Sequence, residues 1–318
     1  MMYVFEPIYK KLIWGGKAIG LFKGLDLPEE GIGESWEVSH VEGDCSVVAL
    51  GNDRGKTMDE LIRLYGEELT GEGRLQGGRF PLLIKFIDAR EDLSIQVHPN
   101  DRLARHRHGG FGKTEMWYVV KADKGAAVYT GFSRPVGPEE YLRLVNEKKL
   151  TEVLQRYEVT EGDVFFLPAG RIHAIGAGCF MAEIQQTGNL TYRIYDYDRK
   201  SPDGHPRELH TELAKDAIDF SFLPDYRTHY TPPVEHVIPL VHCSYFTTNL
   251  LAGKHTVLRR TEGSFRIYIC IAGAALVRND RKEEILLKQG QTLLVPAVTS
   301  KISITPSPVT KLLETYIS

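Results

Sequence analysis

The sequence predicts a mainly β protein built from two related β-barrels with a few helices. Three observations carry this. Short strand-like segments rich in β-branched and aromatic residues dominate, and Gly, Pro and Asp punctuate them. No βαβ rhythm interrupts them, which argues for sandwiches or barrels over a parallel sheet. An internal repeat sets Gly162-DVFFL-Pro168 against Gly290-QTLLV-Pro296 with the same five-residue gap. Its physical reading is a turn glycine, a strand, and a proline that ends the ladder.

In chain order, strands are expected over 80–89, 116–122, 126–132, 163–169, 179–187, 266–277 and 291–297. Thr57-Met58-Asp59-Glu60 has the form of a capping box opening a helix that runs to about Gly71. Pro138 opens a second helix, with Leu142, Leu144 and Val145 as its apolar side. A third covers 207–219, and the Pro- and Tyr-rich stretch 220–236 connects the barrels. After the repeated unit the copies diverge, so that Lys301 stands where His173 stood. The chain has 318 residues, enough for two domains, and its 42% hydrophobic and 25% charged composition is ordinary for a globular protein. A net charge of −3 creates no global attraction to nucleic acid or anionic lipid, and no apolar run is long enough to span a bilayer. Four scattered cysteines without a CxxC suggest a reducing compartment, and with no secretory signal at the start a cytoplasmic protein is expected.

The stretch LSIQVHPND (93–101) alternates as a strand, with Ser94, Gln96 and His98 on one face and Leu93, Ile95 and Val97 on the other. An amide and an imidazole side by side often only satisfy hydrogen bonds in a barrel. Downstream, however, Gly162 to His173 has the spacing G-x5-P-x-G-x2-H, and Glu115 lies in GKTEMWYVV. Two imidazoles and a carboxylate are ordinary zinc ligands, and coordination positions left to water mark a catalytic site.

The Gly162–His173 spacing resembles the second motif of the cupin superfamily, small jelly-roll barrels that hold a metal inside. Gln96 in place of a histidine, and the long gap from His98 to Glu115, resemble one family within it: type I phosphomannose isomerase in its short bacterial form. The resemblance runs through Trp14-Gly15-Gly16, GESWEVS (33–39), FPLLIKFIDA, LSIQVHPND, GKTEMWYVV, LPAGRIHAIGAG and NLTYRIYDYDR (189–199). It implies two jelly-roll barrels: a catalytic, metal-binding unit over 1–235 and a degenerate barrel without ligands over 236–318. It also implies one zinc per chain, held by Gln96, His98, Glu115 and His173, and interconversion of mannose 6-phosphate and fructose 6-phosphate through a cis-enediolate.

The resemblance assigns an essential role to Arg193, expected on a strand with Tyr195 and Tyr197 on the same face. The bland alternative is an ion pair with Asp196 or Asp198. The proton-transferring base is left between Lys113, whose pKa desolvation beside zinc could lower, and Glu183 in MAEIQQ. Lys85 breaks an apolar run and needs an anion, either the substrate phosphate or a buried partner such as Asp88 or Glu91. Ser94, on the Gln96 face, is the second expected phosphate contact. The basic run Arg102 to His108 has three readings: a loop over the pocket, a nucleic-acid patch or a solvated loop. The last is the default, with Gly109-Gly110 suiting a lid. Trp14-Gly15-Gly16 and Glu34 to Glu37 are expected to pack at the pocket wall. The small-molecule partner is thus a sugar phosphate, with neither nucleic acid nor membrane, and the chain is a monomer or homodimer. The rival readings are an iron-dependent dioxygenase, another sugar-phosphate isomerase, and a non-catalytic carbohydrate-binding barrel.

Overall fold

The computed structural model describes residues 1–27, 31–201, 204–231 and 237–318. Strands dominate, arranged among the described residues as two six-stranded sheets, a five-stranded and a four-stranded partner sheet, and the two-stranded pair His40–Val41 with Asp44–Cys45. The first large sheet runs in the order Val164–Leu167, Glu115–Ala122, Cys179–Gln186, Leu82–Ala89, Ile32–Val38, Ile8–Gly16. Facing it lies Leu154–Glu158, Ala127–Phe132, His173–Ile175, Ile95–Val97, Tyr192–Tyr195. The second large sheet is Tyr3–Val4, Thr292–Val295, Arg266–Ala272, Thr310–Tyr316, Thr247–Gly253, Val237–His242, and its small partner is Val257–Arg260, Lys301–Pro306, Ala274–Asn279, Glu284–Lys288. Every pairing is antiparallel.

The alternation along each strand sorts the cores. In the first large sheet Ile84, Phe86, Met116, Tyr118, Ala182 and Ile184 point one way and share a core with Ile267, Ile269, Leu294 and Leu313 of the second. The large sheets therefore pack back to back. The opposite faces line the barrel interiors: Ile87, Trp117, Val119 and Met181 in the first, and Tyr268, Cys270, Leu293 and Leu312 in the second. The amino-terminal strand Tyr3–Val4 covers the edge of Thr292–Val295, so the chain's first residues close the last sheet.

The repeat is real down to its hydrogen bonds. Gly162 and Gly290 both have positive φ, 95° and 79°. Gly162 N–H bonds to Val119 O as Gly290 N–H bonds to Cys270 O. Fixing the register this way puts Arg266 at the place of Glu115, Tyr268 at Trp117, Glu314 at Glu183 and Asn249 at Lys85. One expectation shifts. Lys301 begins its strand as His173 does, but it is exposed, while Ile302 points inward against Arg259 and Asn279. A one-residue slip exchanges the two faces of a strand, so Ile302 and not Lys301 occupies the inward His173 position, and Arg259 occupies that of Gln96.

The expected strands form, with 266–277 divided in two at Gly273 (φ 70°). The helix opened by Thr57 has its capping box but ends at Tyr65. Gly66, at φ 48° and ψ −121°, breaks the chain before a separate turn Glu67–Thr70. The Pro138 helix spans Pro138–Asn146, and the third expected helix shortens to Thr211–Ala217. The basic run is not a loop but the helix Asp101–His108: Asn100 Oδ1 accepts from Leu103 N–H at 3.0 Å and Gly109 closes the end in left-handed conformation. Part of the expected 220–236 connection, including the 235/236 boundary, lies outside the described residues. No described helix is long and apolar enough to cross a membrane.

Candidate active site

The site lies between the two sheets of the first barrel. Directly opposed residues on neighbouring strands point to the same face. On the small sheet, Gln96 sits opposite His173 on one side and Arg193 on the other. On the large sheet the row is Trp36, Lys85, Glu183, Trp117, with Glu115 two residues before Trp117 on the same face. Folding one sheet over the other brings the rows together around a cavity of about 560 Å³. Its lining includes Trp14, Glu34, Trp36, Lys85, Ser94, Gln96, Lys113, Glu183 and Arg193.

Against Gln96 and Lys113 of that lining, one ligand atom each from His98, Glu115 and His173 lie within 4.8 Å of one another, and all three residues are buried. His98 Nδ1 donates to Leu190 O and His173 Nδ1 donates to Arg171 O, both at 2.8 Å. Each ring thereby keeps its Nε2 lone pair free and aimed inward, the tautomer a metal needs. Burial depresses both imidazoles, His98 well below its ordinary range and His173 to about 4, so both are neutral. Burial and the neighbouring Glu183 carboxylate push Glu115 up to about 7, with Lys113 offsetting. His98 Nε2 and both Glu115 oxygens have no aligned hydrogen-bond donor, although Lys113 Nζ lies 2.9 Å from Oε2. Gln96 Nε2 is 3.3 Å from His173 Nε2, so an amide flip presents its oxygen to the same centre. Three orphaned donor atoms and a flippable amide form a cation-shaped hole, and the set fits a divalent metal.

Two cations and a carboxylate adjoin it. The regular strand begins at Glu115, yet Lys113 still turns inward, contacting Glu115 and lying 3.5 Å from Glu183 Oε1. Burial alone lowers the Lys113 pKa, but the Glu115 and Glu183 carboxylates outweigh it. The ammonium is held protonated, against the lowered pKa expected from desolvation. Burial likewise raises Glu183, but Lys113, Lys85 and the Trp117 N–H prevail and bring it down to about 2. Trp117 Nε1 donates to Glu183 Oε2 at 2.8 Å, leaving Oε1 buried and unbonded toward the pocket. Lys85 pairs with neither Asp88 nor Glu91. Its Nζ is 3.4 Å from both Glu34 Oε2 and Glu183 Oε1 and lies over the Trp36 ring.

Arg193 makes none of the ion pairs considered for it. Arg199 and Arg207 take Asp196, and Lys148 takes Asp198. Its NH1 donates to Glu208 O at 3.0 Å, while Nε is buried without a partner. Tyr197 lies past the end of the strand with φ 55°, so it does not share the Arg193 face. The helix Asp101–His108 supplies no pocket residue. Arg107 is bound to Asp216, and His108 to the Tyr192 hydroxyl. Ser94 is buried and lines the cavity, and Trp14, Glu34 and Trp36 form its wall as expected. Sequence reasoning missed Trp117, Arg207 and His210. Only the last had a usable signal, a polar residue just before a helix.

Residues 2–128 match the family described as phosphomannose isomerase type I, catalytic domain. The chain is 39% identical over 246 residues to the mannose-6-phosphate isomerase ManA of Bacillus subtilis, covering 76% of each. The chain belongs to the type I phosphomannose isomerase family. Within that family it is also 38% identical over 218 residues to the mannose-6-phosphate isomerase of Streptococcus mutans, covering 67% of this chain and 68% of that one. The crystal structure of the Bacillus subtilis mannose 6-phosphate isomerase superposes with a TM-score of 0.89 at 31% identity over 99% of both chains. The architecture is accordingly that of phosphomannose isomerases, two cupin-type jelly-roll barrels with few helices.

Proposed function

We propose that the protein is a zinc-dependent aldose–ketose isomerase interconverting mannose 6-phosphate and fructose 6-phosphate through a cis-enediolate. The observation that carries this is the convergence of buried ligand atoms of His98, Glu115 and His173, with His98 Nε2 and both Glu115 oxygens unsatisfied, beside a pocket lined by Gln96, Lys85, Lys113 and Arg193. Gln96, His98, Glu115 and His173 would hold the zinc, which would supply Lewis acidity to the reacting sugar oxygens.

Glu183 is the base: its ionised Oε1 faces the pocket with no hydrogen bond, takes the proton from C2 and returns it to C1. The hydroxyl proton moves from O2 to O1 in the same conversion. Lys113, held protonated beside Glu115 and Glu183, is the cation along that path. Arg193, fixed by Glu208 O and lacking a carboxylate partner, offers a guanidinium to the negative oxygen without titrating. Ser94 and Lys85 face the phosphate end. Zinc ligation and turnover belong to a unit over 1–235, and 236–318 form a barrel without ligands. The sugar phosphate is the partner. The four free cysteines suit a cytoplasmic location. The test is a coupled assay for fructose 6-phosphate from mannose 6-phosphate. Activity is expected to disappear with a chelator and return with zinc; full activity in the chelated protein refutes the reading.

A further inference from the structure

Beyond Arg193 the small sheet is extended by one more residue. His210 N–H donates to Arg193 O at 2.7 Å, and Arg193 N–H donates to His210 Nδ1 at 3.2 Å. The second bond fixes the imidazole: with Nδ1 accepting, the neutral ring carries its proton on Nε2. His210 lines the same cavity as Ser94 and Arg193. It is partly exposed, and its Nε2 has no hydrogen bond among the described residues. Its nearest carboxylate, Glu208 Oε2, is 3.7 Å away on a side chain that is 84% exposed. The metal-side residue Gln96 lies opposite Arg193, and His210 lies on the far side of Arg193. Two inter-strand spacings therefore put His210 on the order of 10 Å from Gln96, comparable with the length of an extended hexose phosphate.

We propose that His210 is a substrate-binding residue whose Nε2–H donates to the phosphate of the sugar phosphate, at the end of the pocket away from the metal. The proposal rests on the isomerase reading for the direction in which substrate lies. Its neighbours suit a dianion: Arg193 has no carboxylate partner, and Arg207 stands beside it, already tied by Nε and NH2 to Asp196. A histidine donor spares the pocket another permanent cation there, while its tautomer, locked by a backbone amide, keeps the donor in place without a carboxylate.

Two substitutions separate this role from a structural one. Asn presents an amide oxygen where Nδ1 stood, so His210→Asn preserves the Arg193 N–H bond and removes the pocket donor. Gln presents an amide N–H near the Nε2 position, so His210→Gln preserves the donor and removes the backbone bond. Each variant is measured for KM and kcat with mannose 6-phosphate and, by calorimetry, for the Kd of inorganic phosphate. His210→Asn is expected to raise KM and the phosphate Kd together by about tenfold, with kcat changed less than about threefold, while His210→Gln stays within about threefold in all of them. The reverse ranking of Asn and Gln overturns the proposal, because the ring then serves only the backbone. A raised KM with an unchanged phosphate Kd also overturns it, since the donor then meets a sugar hydroxyl. Phosphate binding is read without turnover, so an inactive unaltered protein counts against the isomerase reading alone.

Discussion

In the first barrel the row Lys85–Glu183–Trp117 ends beside Glu115 and opens on the cavity. In the second, the matching row Asn249–Glu314–Tyr268 ends beside Arg266 and is closed. Glu314 accepts from Tyr268 OH at 2.9 Å, from Asn249 Nδ2 at 3.0 Å and from the Arg259 fork at 2.9 and 2.7 Å, so both its oxygens are satisfied. Glu183 has a Trp117 N–H on one oxygen and nothing aligned on the other. At the positions of the proposed metal ligands, Gln96 becomes Arg259, Glu115 becomes Arg266 stacked on Tyr316, and His173 becomes Ile302. The first barrel sets Lys85 and Lys113 near its buried carboxylates but leaves three of their oxygens without an aligned hydrogen bond; the second ties both oxygens of its carboxylate to its own side chains. Both barrels keep buried polar atoms without a partner, but their chemistry differs: in the first they include the acceptors His98 Nε2, both Glu115 oxygens and Glu183 Oε1, a set that a cation satisfies, whereas in the second they include the Arg266 Nε and NH1 donors beside the Tyr316 ring.

The contrast breaks most visibly at the inward position of the shared strand. His173→Ala is expected to take isomerase activity to background in the coupled assay, whereas Ile302→Ala leaves kcat unchanged and lowers stability by about 2–5 kcal/mol, as core truncations do. Equal effects on activity from both changes would erase the distinction. Arg193→Ala is expected to lower kcat on the order of 10²–10³-fold without unfolding the protein, as loss of a preorganised charge at a reacting oxygen does. Arg259→Met, at the other barrel's buried carboxylate, is expected to cost about 3–5 kcal/mol in denaturant unfolding with kcat intact, because Glu314 is left buried and unpaired.

The two carboxylates also titrate with opposite sign. Glu115 is raised in the folded protein to about 7, so in chelated protein its contribution to stability is full below its ordinary 4.5 and fades as pH rises through 7. Glu314 is lowered: burial works against it, but the Arg259 fork prevails. Its contribution is therefore present above 4.5 and lost as pH falls through the lower folded value. Glu115→Gln in chelated protein is thus expected to gain in Tm over the unaltered chain as pH goes from 5 to 8. The Tm deficit of Glu314→Gln shrinks as pH falls below 4.5. The smallest effect is at the hydroxyl and indole donors. Tyr268→Phe is expected to cost about 1.5–3 kcal/mol, a bond to a charged group, with turnover unchanged, while Trp117→Phe lowers kcat.

Much of this was legible in the residues. Short apolar runs rich in β-branched and aromatic residues located the strands because many are buried on both faces, and the Gly–strand–Pro unit revealed two barrels. The His98, Glu115 and His173 set was legible through the family resemblance, with motif spacing at His173 alone and ordinary metal-ligand chemistry in the residue types. The pairing of Lys85 with Glu34 and Glu183 was not, since register across three strands decides it. The same holds for Trp117 and for the equivalence of Glu314 with Glu183, which no local sequence match signals. The helix Asp101–His108 escaped because it buries only Ala104 and so carries no apolar stripe, although Asn100 and Gly109 frame it. Lys301 misled because a matching count of residues does not fix the face a strand presents.

One divalent metal is proposed for the first barrel and none for the second. Elemental analysis by inductively coupled plasma mass spectrometry, on the purified protein and on the His98→Ala, Glu115→Ala and His173→Ala triple variant, tests it most directly. One equivalent of zinc per chain is expected in the unaltered protein and none in the triple variant. A full equivalent retained after all three changes would contradict it.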